Sequence, residues 1–210
     1  GKTIWEHHAQ AGAMPALTLR RSEIAPMTRL PTATEKLSYG VALGEDGFRE
    51  PLVLNAGNWR GGNQSLPVYL AVRKADGVPL PLVLHDFLSF VLSQDGQNAG
   101  AQFTAFYPLK VEEAAAERAR IGEQPITPDE NIARYRPTLV PGPLCSVGAV
   151  QFRSLMDEWL QAFRAVQPDV IRGDAWIHAG SSLSVPGLIS GATRLAPSGR
   201  HPWPDETEAF

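Results

Sequence analysis

The sequence predicts an α/β protein, and three observations carry that reading. Strands alternate with helices along the chain, one strand-helix-strand unit occurs twice at a fixed offset, and one long helix carries an unbroken apolar stripe. The duplication is the most specific of the three. Trp5-Glu6-His7 reappears as Trp176-Ile177-His178, and Pro15-Ala16-Leu17 as Pro186-Gly187-Leu188. Ile24-Ala25-Pro26-Met27-Thr28-Arg29-Leu30-Pro31 reappears as Leu195-Ala196-Pro197-Ser198-Gly199-Arg200-His201-Pro202. The separation between Trp5 and Trp176 relates every pair. Two tryptophans and two histidines kept in register make chance a poor explanation, so two copies of one supersecondary unit are expected.

In chain order, residues 3–8 suit a short β-branched and aromatic strand, residues 14–20 a helix, and Glu23 to Met27 a buried strand. The Gly- and Asn-rich run between Asn55 and Ser65 reads as an exposed loop. Pro67 to Val72 is a buried strand, followed by a helix with Val83, Leu84, Phe87, Leu88 and Val91 on one face. Ser93 to Gln97 breaks that helix, and a second one runs toward Gln102. Val111 to Ile121 is Ala- and Glu-rich and helical. Residues 122–143 are proline-rich without a period, which marks a linker. After it come a strand, Leu144 to Gly148, and the strongest helix. There Phe152, Leu155, Met156, Trp159, Leu160, Phe163 and Val166 form one broad apolar stripe, which Pro168 ends. The second copy then supplies a strand from Asp169 to Ala179, a turn at Gly180-Ser181-Ser182, a helix from Val185 to Ser190 and a strand from Arg194 to Pro197. The expected organisation is a first segment over 1–121, the linker over 122–143, and the second repeat copy over 144–210.

Composition narrows the function. A chain of 210 residues that is 43% hydrophobic and 20% charged has the make-up of an ordinary globular protein, in one large domain or two small ones. A net charge of −3 with scattered Lys and Arg gives no basis for binding nucleic acid. Cys145 is the sole cysteine, so neither an internal disulfide nor a Cys-based zinc site can form. No stretch approaches the ~18 apolar residues of a membrane span. No basic segment leads into an apolar core of the secretory-signal type, so any signal peptide is expected to have been removed or never to have existed.

Taken together, the motifs of the second copy resemble the phosphate-type periplasmic binding proteins, the extracytoplasmic substrate-binding components of ABC transporters. The resemblance lies in Val147-Gly148-Ala149, Leu155 to Trp159, Ala162-Phe163, Pro168-Asp169-Val170, Gly180-Ser181-Ser182, Pro186-Gly187-Leu188 and Leu195 to Arg200. Ile24-Ala25-Pro26-Met27-Thr28-Arg29 is closer still to the last of these motifs. Tyr69 to Lys74 and Phe87 to Gln97 are similar to the C-terminal part of that family, yet here they precede the N-terminal-like part. The family's middle lobe, with its Arg followed by Ser-Gly-Thr, has no counterpart. A tandem fragment, a deletion and a circular permutation all fit this order. The resemblance implies a binding-protein-like lobe, rearranged or partial: a three-layer sandwich with helices on both faces of a mixed sheet.

It also implies anion capture by helix N-termini, where unpaired amides, the helix dipole and hydroxyl donors meet the ligand. The candidate ligand-binding residues are Gly180, Ser181 and Ser182, with Thr28 and Arg29 of the first copy and Arg200 of the second, whose guanidinium could clamp an oxyanion. Ordinary alternatives stand beside each: a Ser helix cap for Gly180 to Ser182, and a structural arginine for Arg200. Ala149, Gln151 and Gly199 stand where the family has hydroxyl residues.

No metal site, cofactor or catalytic residue is expected. His7 and His8 are adjacent and point to opposite faces of a strand, while His7 and His178, being repeat-equivalent, suggest a shared packing or hydrogen-bond role. Cys145 reads as a bystander thiol, and Asp157-Glu158 as a solvated helix face. The implied function is a non-enzymatic, extracytoplasmic solute-binding protein for a small oxyanion, phosphate first, which feeds an ABC transporter permease. The alternative is a degenerate module acting as a scaffold or partner-binding domain. Incomplete units also suggest a homo-oligomer or a swapped dimer.

Overall fold

The computed structural model describes residues 51–61, 63–75, 77–123 and 131–210. The first repeat copy, with Trp5, His7, His8, Thr28 and Arg29, lies outside the described residues. The described residues open with a β-hairpin, β1 (Leu52–Gly61) and β2 (Gln64–Val72). Next come α1 (Leu82–Val91), α2 (Gln94–Gly100), the two-residue β3 (Phe106–Tyr107) and α3 (Val111–Arg120). After residues 131–141 follow β4 (Gly142–Gly148), a 3-10 turn (Val150–Phe152), α4 (Arg153–Val166) and β5 (Val170–His178). A second 3-10 turn (Ser181–Leu183), α5 (Ser184–Ile189), β6 (Leu195–Ser198) and α6 (Pro204–Glu208) close the chain.

The hairpin corrects the loop expected between Asn55 and Ser65. β1 pairs antiparallel with β2 along its length, with Leu54 opposite Leu70 and Gly61 opposite Gln64. Gly and Asn, weak strand formers on average, here mark a bulge between Asn55 and Asn58. Gly57 sits at φ 143° and donates its N–H to the Asn55 side chain at 3.1 Å. A Cβ at Gly57 would overlap the Phe106 ring, so the glycine serves close approach as well as the bulge.

Strand order is β3-β1-β2-β6 in an antiparallel sheet and β4-β5 in a parallel pair. A short seam joins the two. Ala149 N–H donates to the Pro197 carbonyl at 2.9 Å, and Thr193 Oγ1 donates to the Cys145 carbonyl at 3.0 Å. Pro197 explains why no full ladder forms there. Its carbonyl faces β4, so its missing N–H falls on that same edge.

Both faces of this sheet are covered. On β2, Val68, Leu70 and Val72 join the large core with α1 and α4, whereas Tyr69 and Ala71 turn to a second core with α5 and the chain end at Ala209 and Phe210. The period-2 alternation of a strand buried on both sides yields the three layers. α4 follows its stripe: Leu155, Met156, Trp159, Leu160 and Phe163 are all buried. Each such side chain contributes about 1.5–3 kcal/mol by leaving water. Trp159 also donates its indole N–H to the Gly96 carbonyl at 2.8 Å, which ties α4 to α2.

Residues 131–141 have no regular secondary structure, yet they are packed: Ile132, Tyr135 and Val140 belong to the large core. A buried polar cluster pins them. Tyr135 donates its hydroxyl to Asp86, and Gln167 Nε2 reaches the Tyr135 hydroxyl at 2.7 Å and the Thr138 carbonyl at 2.8 Å. Burial first, and the Asp86 carboxylate second, push the Tyr135 phenol well above its usual range.

Candidate functional site

The parallel strands β4 and β5 end side by side, with Gly148 opposite His178. Beyond them, Gly180 N–H donates to the Gly148 carbonyl at 3.2 Å, while the Ala149 amide bonds Pro197 near the end of β6. Three connecting segments, 149–152, 180–183 and 198–200, therefore adjoin at one edge of the sheet. Gly148 is required for this approach, because a Cβ there would overlap the Pro197 carbonyl oxygen. Gln151 lies against Gly199, its Nε2 3.0 Å from where a Gly199 Cβ would stand.

Two helical starts open onto this edge, the turn Val150–Phe152 leading to α4 and the turn Ser181–Leu183 leading to α5. None of these four segments has a side-chain cap, and none has an acidic residue in its first turn. Uncapped starts leave backbone N–H groups available and keep the positive dipole end uncompensated. Chemically, such an edge donates hydrogen bonds and favours negative charge.

Of the residues singled out in the sequence, Gly180, Ser181 and Ser182 lie on this edge. Gly180 and Ser181 are half-buried and Ser182 is exposed. Neither serine hydroxyl has a partner among the described residues. Ser184 is different: it is buried and donates to the Pro197 carbonyl at 3.0 Å, holding α5 to β6.

Arg200 sits on the third segment, but its charge is already engaged. Its two terminal nitrogens bind the two carboxylate oxygens of Glu206 at 2.6 and 2.7 Å, and its guanidinium lies 3.7 Å from the Trp203 ring centre. Glu206 also accepts the Trp203 N–H at 2.8 Å. This ion pair belongs to the capping of α6. Thr28 and Arg29 lie outside the described residues.

A buried polar pair sits just beneath the edge, and sequence reasoning missed it. Ser146 Oγ and His178 Nε2 are 3.0 Å apart, and His178 Nδ1 has no hydrogen-bond partner among the described residues. Burial is the main cause that lowers the His178 pKa to about 4, against the opposing pull of Asp157 and with help from Arg172 and Arg153. The ring packs edge-on to Trp176 at 5.3 Å. His178 thus has both a packing and a hydrogen-bond role, while its repeat equivalent His7 lies outside the described residues. Finding Ser146 needed the β4–β5 register, which no local pattern encodes.

Asp157 corrects an expectation. It is half-buried and accepts the Trp176 indole N–H at 2.7 Å, because α4 lies over β5 and brings the flank of its stripe onto the strand. Among the described residues no three His, Cys, Asp or Glu side chains are grouped to hold a metal ion, and no helix is long and apolar enough to cross a membrane. Cys145 is half-buried.

No protein-family model matches the chain, and neither does any curated protein. Among solved structures it is similar to a phosphate ABC transporter, phosphate-binding protein from Streptococcus pneumoniae TIGR4, with 21% identity and a TM-score of 0.46. The match covers 62% of this chain and 42% of that protein, so it spans less than half of the neighbour's length.

Proposed function

We propose that this chain is a solute-binding protein, or one lobe of such a protein, that takes up a small oxyanion, with phosphate as first candidate. The observation that supports the reading best is the meeting of two uncapped helical starts at the ends of adjacent parallel strands, joined by the Gly180 to Gly148 hydrogen bond of 3.2 Å. Backbone amides of Val150, Gln151, Ser181 and Ser182 and the hydroxyls of Ser181 and Ser182 supply the donors, the amides of Phe152, Arg153, Leu183 and Ser184 being spent within the two turns. In this reading Arg200, held by Glu206, fixes the third segment and does not act as the counter-ion of the ligand. With phosphate as cargo, the protein works outside the cytoplasm and hands its ligand to a transporter permease, and it performs no chemistry on it. The domain pattern follows the same reading: residues 144–210 supply the anion edge, and 51–121 complete the sheet and its helical cover.

Calorimetric titration with phosphate, sulfate and molybdate tests the proposal. Saturable heat with at least one of the three, reduced in a Ser181→Ala/Ser182→Ala variant, is the expected result. A wild-type protein that gives no saturable heat with any of them rejects it.

A further inference from the structure

The opposite end of the sheet holds a cavity of about 290 Å³ between the start of α1, the first half of β4 and the turn that leads into β6. Its walls are mainly apolar, formed by Pro81, Leu84, Pro143 and Leu144 among others. Among the described residues only three lining side chains can offer polar atoms: Thr193, Cys145 and Arg194. The Thr193 hydroxyl is already used, since its single proton is shared between the Cys145 and Leu195 carbonyls, at 3.0 and 2.9 Å, and its oxygen accepts the Leu195 N–H at 3.1 Å. Arg194 is exposed, and its guanidinium has no hydrogen bond or ion pair among the described residues. The ten-residue α1 starts at the same cavity without a side-chain cap or an acidic residue in its first turn, which adds to the positive field.

We infer that this cavity binds a small amphiphilic carboxylate, with its hydrocarbon body between Leu84 and Leu144 and its head group on Arg194. Apolar walls reward burial of a hydrocarbon but do not choose its orientation. The choice falls to Arg194, the one uncommitted charge among the described residues at the rim, and a guanidinium pairs with a carboxylate through two parallel hydrogen bonds. A neutral amphiphile gains only the walls, and a cationic one meets repulsion. The site is separate from the proposed oxyanion edge and independent of that reading.

Cys145 supplies the measurement. It is the chain's sole cysteine and it lines the cavity, so its alkylation by iodoacetamide reports on this place alone. Octanoate should slow that reaction saturably in the full chain, with half-effect at about tenfold lower concentration than octanol. In Arg194→Gln the two compounds should become equivalent, and in Ala192→Trp, which fills the cavity, octanoate should add no protection. An alkylation rate indifferent to octanoate, or octanol and octanoate equally effective on the wild type, overturns the inference.

Discussion

Glu206 holds Arg200 in a two-pronged ion pair, with nitrogen-oxygen distances of 2.6 and 2.7 Å, while the Glu206 side chain is only 3% exposed. The same carboxylate accepts the Trp203 amide, and the arginine plane lies over the Trp203 ring. One carboxylate therefore organises the end of β6, the start of α6 and the approach of Phe210 to the second core.

Removing that charge should loosen the whole C-terminal turn. Glu206→Gln keeps the shape but leaves a guanidinium, 27% exposed, without its partner. A loss of about 1–3 kcal/mol in urea unfolding is expected, scaled down because Arg200 is partly solvated. A change within a few tenths of a kcal/mol would show that the pair is decorative.

His178 makes stability depend on pH in a definite direction. Its folded pKa, lowered to about 4 from 6.5, means that the unfolded chain binds a proton more readily between those values. The stabilisation is complete above pH 6.5 and is lost as pH falls toward 4, amounting to about 3 kcal/mol at most. Urea midpoints followed from pH 7 to pH 4 should show this slope in the wild type and a shallower one in His178→Gln. Equal slopes would contradict the buried neutral imidazole.

Gly148 should tolerate no side chain. Alanine there meets the Pro197 carbonyl oxygen across the seam between the parallel pair and the antiparallel sheet. We expect Gly148→Ala to cost about 1–3 kcal/mol and to speed hydrogen exchange of the Ala149 amide, which bonds Pro197. An unchanged exchange rate would mean that the seam adjusts without strain.

Much of the framework was legible because it is written in local periods. The stripe became α4 from Leu155 to Phe163, with Phe152 buried just before the helix and Val166 exposed at its end, and the strand-turn-helix-strand of the second copy became β5 to β6. The hairpin at Asn55 to Ser65 was not legible, because Gly57 answers to the bulge and to Phe106, about fifty residues away, and not to a turn of its own. The candidate edge was half legible. Gly180-Ser181-Ser182 announces a turn by composition, but the commitment of Arg200 to Glu206 and of Ser146 to His178 depends on tertiary register. Asp157 was misread for the same reason: a polar residue beside an apolar stripe looks solvated until Trp176 arrives from the next strand.

The most direct measurement of the central claim is the shift of backbone amide NMR signals as phosphate is added. The proposal predicts that Gln151, Ser181 and Ser182 move together along one saturable curve, while the Arg194 cavity stays still. Signals that remain fixed at this edge, or that move only elsewhere in the protein, would contradict it.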